Sequence, residues 1–218
     1  MLKPVLEQSR ALPWKVGNKV IPCSTPLVMG IVNVTPDSFF DGGKHNSPEA
    51  AYEHAVSLLQ QGADILDIGG ESSRPGSAPV SEQEEMDRVC PVVEALAQLA
   101  NISGDLENPG SREFYISVDT VKSRVARECM KLGAHIINDI SACAMDPEMA
   151  GVVASTGASV VLNHMRGTFG NMQQDFKPYA NVVAEVREEL VSRAEALIKA
   201  GVEMLMETLD GIIGLRAD

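Results

Sequence analysis

Short apolar runs that end in polar residues recur along this sequence. Glycine suits the left-handed position that follows a helix, so an apolar run just after a glycine is predicted to be a strand that comes after a helix. Four runs have this pattern: QGADILDIGGES, LGAHIINDISAC, TGASVVLNHMRG and AGVEMLMETLDG. Two further apolar runs, 27–34 and 114–120, bring the number of predicted strands to six.

Helix signals occupy the segments between these strands. Ser47 and Pro48 supply an N-cap and a first-turn proline, and Ser81 with Glu84 forms a capping box. Five helices are predicted, beginning near residues 47, 81, 120, 146 and 181. This alternation is typical of a parallel sheet whose polar strand ends share one face. A (β/α) barrel and a doubly wound open sheet both have this property, and periodicity leaves the two open.

Length and charge narrow the class of protein. A chain of 218 residues without a linker-like segment predicts a single domain, 1–218. The formal net charge of −12 argues against a nucleic-acid partner or an anionic membrane surface. No apolar stretch approaches the roughly 20 residues of a membrane span, and the start lacks a signal-peptide pattern, which predicts a cytoplasmic protein. The four cysteines are scattered and are predicted to be reduced core thiols.

Two polar segments follow the first two predicted strands. In VNVTPDSFFDGG, the oxygens of Asn33, Asp37 and Asp41 would suit a magnesium ion held together with a phosphate, and a plain turn is the alternative. In GGESSRPGS, hydroxyls, glycine amides and Arg74 could hold diphosphate oxygens. The alternative there is a surface loop in which Arg74 pairs with Glu71.

Acids and amides end the next strands. Asp119, Asn138 and Asp139 could match the donors and the acceptor of a ring with a 2-amino-4-oxo edge. Asp119 could also be the N-cap of the helix that follows it. Met165, in NHMRGT, could pack against such a ring through its sulfur. Asp67 raises a question, because an acid inside a buried apolar strand costs several kcal/mol unless something pairs with it.

Five blocks together resemble dihydropteroate synthase: MGIVNVTPDSFFDGG, DIGGESSRPG, ISVDT, GAHIINDIS and NHMRGT. The resemblance runs from about residue 27 to residue 201 and implies a TIM-type (β/α)₈ barrel. It implies a transferase of folate biosynthesis that joins 6-hydroxymethyl-7,8-dihydropterin diphosphate to p-aminobenzoate and releases diphosphate. Sulfonamides, which compete with p-aminobenzoate, would be its inhibitors, and Mg²⁺ its cofactor.

The resemblance also implies roles for individual positions. Asn33 would help to bind magnesium on the diphosphate, and Asn33, Arg74 and Asp119 would be the catalytic residues. Asp67 and Glu71 would support the site or lie at its diphosphate end. The positions implied to bind substrate are Pro36, Phe39, Ser73, Arg74, Asp119, Asn138, Ile140, Met165 and Asp210.

The resemblance weakens at the carboxyl end. Members of the family continue with a DPGxGFGK-like block, a lysine and an Arg-x-His, whereas AGVEMLMETLDGIIGLRAD retains only Leu209 and Asp210. The chain is therefore expected to be C-terminally truncated, with about six strands and five helices of the eight units, and to associate with itself as a homodimer or otherwise. The alternatives are an inactive fragment that binds pterin or diphosphate and a pterin-dependent methyl-transfer domain.

Overall fold

The described part of the chain contains seven strands and five helices. The computed structural model describes residues 14–16, 19–21, 26–35, 47–72, 78–102, 113–167 and 178–202. The strands are β1 (Trp14–Val16), β2 (Lys19–Ile21), β3 (Met29–Asn33), β4 (Ile65–Gly69), β5 (Tyr115–Asp119), β6 (Ile136–Asp139) and β7 (Ser159–Leu162). The helices are α1 (Pro48–Gln60), α2 (Glu82–Ile102), α3 (Ser123–Lys131), α4 (Met149–Thr156) and α5 (Val182–Lys199).

The strands β3 to β7 form one parallel sheet in chain order. A doubly wound sheet reverses its strand order at a switch point, and no reversal occurs among these five strands. Consecutive parallel strands joined by helices are the arrangement of a (β/α) barrel. Five of the six predicted strands and all five predicted helices are therefore present, and the sixth predicted strand lies outside the described residues.

The helices cover one face of this sheet. Every second strand residue, such as Val32, Ile68 and Val118, is buried against α1, α2 and α3. Ile137 and Val160 belong to a second cluster, with α3 and α4. Fully burying a side chain of this size contributes roughly 1.5–3 kcal/mol, so this face supplies most of the apolar stabilisation. The intervening residues point to the opposite face, which is the inside of the barrel.

A hairpin that the periodicity did not predict packs at the amino-terminal end of the barrel strands. β1 and β2 pair antiparallel, and Val16 and Ile21 pack with Ile65 and Tyr115. The Ser159 hydroxyl donates to the Lys15 carbonyl at 2.6 Å. The amino-terminal side is thereby covered, which leaves the carboxyl ends of the strands as the accessible side.

Helix starts follow the sequence signals in part. The Ser47 and Ser81 hydroxyls accept from the Ala50 and Glu84 amides, as their capping patterns predict. The prediction that α4 begins at residue 146 was wrong. The Asp146 carboxylate instead accepts from the amide of Ser123, at the start of α3, and from that of Glu148.

Glycines end several helices as expected. Gly62, Gly133, Gly157 and Gly201 all have positive φ, between 68° and 109°. At Gly133 the backbone also passes close to α2, because an added Cβ would lie 2.7 Å from the Ala97 Cβ. This position therefore requires glycine for both its dihedral angle and its space.

Two further observations bear on the class of protein. No helix within the described ranges has the length and apolar character needed to cross a membrane. Cys90, Cys129 and Cys143 are free thiols, as predicted, while Cys23 lies outside the described residues.

Candidate functional site

One row of residues crosses four strands at their carboxyl ends. Asn33 pairs with Gly69, Gly69 with Asp119, and Asp119 with Asn138. In a parallel sheet, residues in register point to the same face, which here is the inside of the barrel. Gly69 leaves a gap in the row, because an added Cβ would lie 3.6 Å from Asp119 Oδ2 and 3.9 Å from Asn33 Oδ1. An amide, a carboxyl group and a second amide therefore border one open space.

Asp119 is the one acid of this row, and its pKa is strongly raised. Burial, followed by the charges of Asp67, Glu85, Asp139 and Glu71, raises the pKa of Asp119 to about 7. No hydrogen bond from another described residue reaches its carboxyl oxygens. The alternative that Asp119 caps α3 was wrong, because the residue at the N-cap position is Lys122. A partly ionised carboxyl group that has no such donor suits a ligand that brings N–H groups.

Asn138 lies at the centre of a chain of hydrogen bonds. Its Nδ2 donates to Asp67 Oδ2 at 2.9 Å, and its Oδ1 accepts from Asn163 Nδ2 at 2.9 Å. Asp67 lies one layer deeper in the barrel and is 5% exposed, and its Oδ1 has no partner among the described residues. Burial raises the pKa of Asp67, and the nearby Ser117 hydroxyl and the Asn138 amide offset part of this rise. The buried acid noticed in the sequence is thus paired with Asn138 on one oxygen only.

Asp139 has a local role that the sequence did not separate from that of Asn138. Its carboxylate accepts from the amide and hydroxyl of Ser141, each at 2.7 Å, and from the Cys143 amide at 3.1 Å. These bonds hold Ala142 and Cys143 in the left-handed region, with φ of 52° and 59°. Asp139 is fully buried, so it shapes the turn after β6 and does not face the open space.

The chain matches a known protein family over most of its length. Residues 29–215 match the family model described as "Pterin binding enzyme". The chain belongs to this family. Dihydropteroate synthase of Escherichia coli (strain K12) is 48% identical over 179 residues, which are 82% of this chain and 58% of that relative. The chain thus spans less than two thirds of the length of this relative.

Solved structures of the pterin-binding family agree with the fold. The crystal structure of Yersinia pestis dihydropteroate synthase with a sulfonamide drug complex has a TM-score of 0.76 and 42% identity, covering 88% of this chain and 65% of that one. Xanthomonas albilineans dihydropteroate synthase with 4-aminobenzoic acid has a TM-score of 0.72 and 41% identity, covering 88% and 63%. The TIM-type barrel expected from the resemblance is therefore confirmed, with five of its parallel strands described here.

A partly buried ion cluster beside the strand ends was not predicted from the sequence. Lys122 pairs with Glu71 at 2.6 Å and also with Glu85, which is 1% exposed. The Glu71 carboxylate accepts from the Val80 amide as well, at 2.9 Å. Glu71 therefore connects Val80, which precedes α2, to Lys122, which precedes α3. The sequence suggested Arg74 as the partner of Glu71 because it lies close by in the chain, and Arg74 is outside the described residues. Lys122 lies 51 residues from Glu71, so no local pattern pointed to it.

The segment after β7 contributes a second polar group. Met165 and Asn163 follow β7 and are half-buried. His164 Nε2 lies 2.7 Å from the Tyr179 hydroxyl, and Arg166 lies over the Tyr179 ring at 4.4 Å. Residues of this group line a cleft of about 530 Å³ between the end of β7 and α5. His164, which was not among the predicted site residues, is therefore a contact between β7 and the segment before α5.

The remaining site predictions have different outcomes. Ile140 is half-buried and begins the turn that Asp139 stabilises, directly after Asp139 itself. Several predicted site residues lie outside the described residues, together with Asp37 and Asp41: Pro36, Phe39, Ser73, Arg74 and Asp210. The described residues thus contain the ring side of the predicted site and one predicted magnesium ligand.

The described residues fit a magnesium ion that is held mainly by a bound phosphate group. No group of three His, Cys, Asp or Glu side chains that could hold a metal occurs in the described ranges. Magnesium bound to a phosphate ester needs only one or two protein oxygens, since phosphate oxygens and water complete its shell. Asn33 is exposed at the strand end, and its Oδ1 lies beside the gap at Gly69. It fits a magnesium ion that arrives with a diphosphate.

Proposed function

We propose that this chain is a dihydropteroate synthase. It would join 6-hydroxymethyl-7,8-dihydropterin diphosphate to p-aminobenzoate and release diphosphate. The observation that carries the proposal is the row of Asn33, Asp119 and Asn138 around the gap at Gly69. The similarity to the Escherichia coli synthase supports it.

The pterin edge would bind between Asp119 and Asn138. The carboxylate accepts from the ring N–H and amino groups, and the amide has one donor and one acceptor left for the ring. Ile140 and Met165 would contact the ring faces. With Asn138 beside Asp119, the ring would bind in one orientation, with its methylene group toward the open carboxyl side of the barrel.

The chemistry needs no nucleophilic side chain. The C–O bond to diphosphate breaks, the electron-rich ring spreads the positive charge of the methylene carbon, and the amine of p-aminobenzoate forms the C–N bond and then loses a proton. Asn33 would hold magnesium, which neutralises charge on the leaving diphosphate. Ser73 and Arg74 would bind the diphosphate oxygens. Pro36 and Phe39 would contact p-aminobenzoate, and Asp210 the pterin.

The wider assignments are parts of the same proposal. The chain would form one domain, 1–218, in the cytoplasm and would associate with itself, as a homodimer or otherwise. The 4-aminobenzoic acid in the Xanthomonas albilineans structure supports that second substrate, and the drug in the Yersinia pestis structure supports sulfonamide inhibition.

The test is diphosphate release by this chain from the pterin diphosphate. Release should require both p-aminobenzoate and magnesium, and Asp119→Asn should abolish it while the exposed Glu53→Gln leaves it unchanged. Release that proceeds equally without p-aminobenzoate would contradict the synthase assignment. The match to 58% of the Escherichia coli relative makes pterin binding without turnover the second candidate. Calorimetry that detects pterin binding in the absence of turnover would select that candidate.

A further inference from the structure

The side chains of Asn163, Asn138 and Asp67 form a hydrogen-bonded relay, in which Asn163 donates to Asn138 and Asn138 donates to Asp67. Each nitrogen–oxygen distance in it is 2.9 Å, and it runs from the end of β7 through β6 into the buried layer of β4. An asparagine amide can turn by about 180° around its last bond and exchange its donor and its acceptor. Asn163 and Asn138 therefore satisfy the relay in either direction as a pair. Neither of them determines which way the relay runs.

Asp67 is the member that removes this ambiguity. A carboxylate only accepts, so the side of Asn138 that faces Asp67 must be its NH₂ group. Asn138 Oδ1 is then on the β7 side, where Asn163 donates to it. Asp67 is 5% exposed and its other oxygen has no partner among the described residues, so its burial is costly to the fold. A residue that served stability alone would be better replaced by an apolar one.

We propose that Asp67 is a positioning residue that sets the donor–acceptor direction of the Asn138 amide, with Asn163 as the second partner, and so determines how this site reads the edge of its ring ligand. The inference rests on the proposed function, in which Asn138 contacts the pterin. Asp67 itself does not touch the ring, because it lies one layer below Asn138 in the barrel.

The exchange Asp67→Asn with Asn163→Asp tests the direction of the relay. In this double variant the acceptor-only carboxylate is on the β7 side, so Asn138 must turn its NH₂ group toward position 163. All three side chains remain hydrogen-bonded, but the amide presents the reverse pattern to the ring. The two single variants are the matched controls. Asp67→Asn allows both directions, and Asn163→Asp places Asn138 between two acceptors.

Two quantities should be measured for the four proteins: the dissociation constant for 6-hydroxymethylpterin by calorimetry and the urea midpoint of unfolding. Apparent affinity falls with the fraction of molecules whose amide has the competent direction. We expect about a twofold loss for Asp67→Asn and for Asn163→Asp, with a lower urea midpoint in the latter. For the double variant we expect a urea midpoint near that of Asp67→Asn but roughly a hundredfold loss of affinity, if each reversed hydrogen bond counts for about tenfold.

If Asp67 served only the stability of the fold, the expected results would differ. Affinity would then follow stability through the series, and the double variant would recover both together. A double variant that binds the pterin within about threefold of the unaltered chain overturns the inference and leaves the proposed function in place. If the unaltered chain binds no pterin, the proposed function fails, and the inference fails with it.

Discussion

Replacing Asp119 by asparagine should stabilise the protein, and the gain should grow with pH. The carboxyl group has a pKa of about 7 in the folded protein, against 3.8 for an unperturbed aspartate, chiefly because it is buried and second because Asp67 is close. The folded state therefore disfavours the ionised form. The penalty is absent below the unfolded pKa, increases between about pH 4 and pH 7, and is fully present above that range.

The magnitude follows from the same two pKa values. A difference of about three pKa units corresponds to roughly 4 kcal/mol at pH 8, since each unit is about 1.4 kcal/mol. At pH 5 the folded carboxyl group is protonated while the unfolded one is mostly ionised, and the penalty is about 2 kcal/mol. The asparagine side chain has a similar shape and no charge. The stability difference between Asp119→Asn and the unaltered chain should thus rise by about 2–3 kcal/mol from pH 5 to pH 8.

Urea unfolding at several values of pH measures this difference. Other carboxyl groups titrate in both proteins and cancel in the comparison, and Glu53→Gln supplies an exposed carboxyl group in α1 as a control. The control should show no comparable rise with pH. If the difference between Asp119→Asn and the unaltered chain does not change with pH, the carboxyl group is not perturbed as described and the electrostatic account of the site is wrong.

Three further predictions use other contacts. Pterin affinity should fall about tenfold for each pH unit below 7, because protonation of Asp119 removes the acceptor for the ring N–H groups. Calorimetry that finds constant affinity between pH 5 and pH 7 would count against a contact between Asp119 and the pterin. Lys122→Met should cost about 3–5 kcal/mol in urea unfolding, because it leaves the buried Glu85 carboxylate without its cation. Lys131→Met, at an exposed pair, should have little effect, and equal small effects would refute the role of the cluster. Gly133→Ala should destabilise the protein by about 2 kcal/mol or more. Gly151 lies in α4 with open space around an added Cβ, so Gly151→Ala should stabilise the protein by about 0.5–1 kcal/mol. A higher melting temperature for Gly133→Ala than for Gly151→Ala would contradict the backbone argument.

Strands were predictable where local patterns determine them. The sequence predicted β3 as 27–34 and the structure has Met29–Asn33, because the apolar run and its polar end mark both boundaries. The hairpin of β1 and β2 was missed, since each strand has only three residues. Its stability depends on Val16 and Ile21 packing against the barrel, and such contacts between distant segments leave no periodic signal.

Site residues were likewise predictable where a local pattern marks them and missed where only the fold brings them together. Asp119 and Asn138 were predictable because each ends a strand, and parallel strands bring such ends together. Lys122 was missed because its partner Glu71 lies in another βα unit, and only the fold joins them. The local pattern also placed Asp139 with Asn138 although their side chains point to opposite faces. Alternation along β6 separates them only once the register is known.

The buried acids show which part of this region serves the fold and which serves a ligand. Asp139 has three donors and one oxygen of Glu85 pairs with Lys122, so both acids have partners inside the protein. Asp67 has one donor, Asn138, with the Ser117 hydroxyl nearby, and Asp119 has none among the described residues. The number of partners that the described residues supply to each acid thus falls to zero at Asp119, beside the gap at Gly69. Since an uncompensated acid destabilises the chain on its own, Asp119 is best explained by a ligand that supplies the missing donors. A bound pterin should therefore stabilise the protein more at pH 8 than at pH 5.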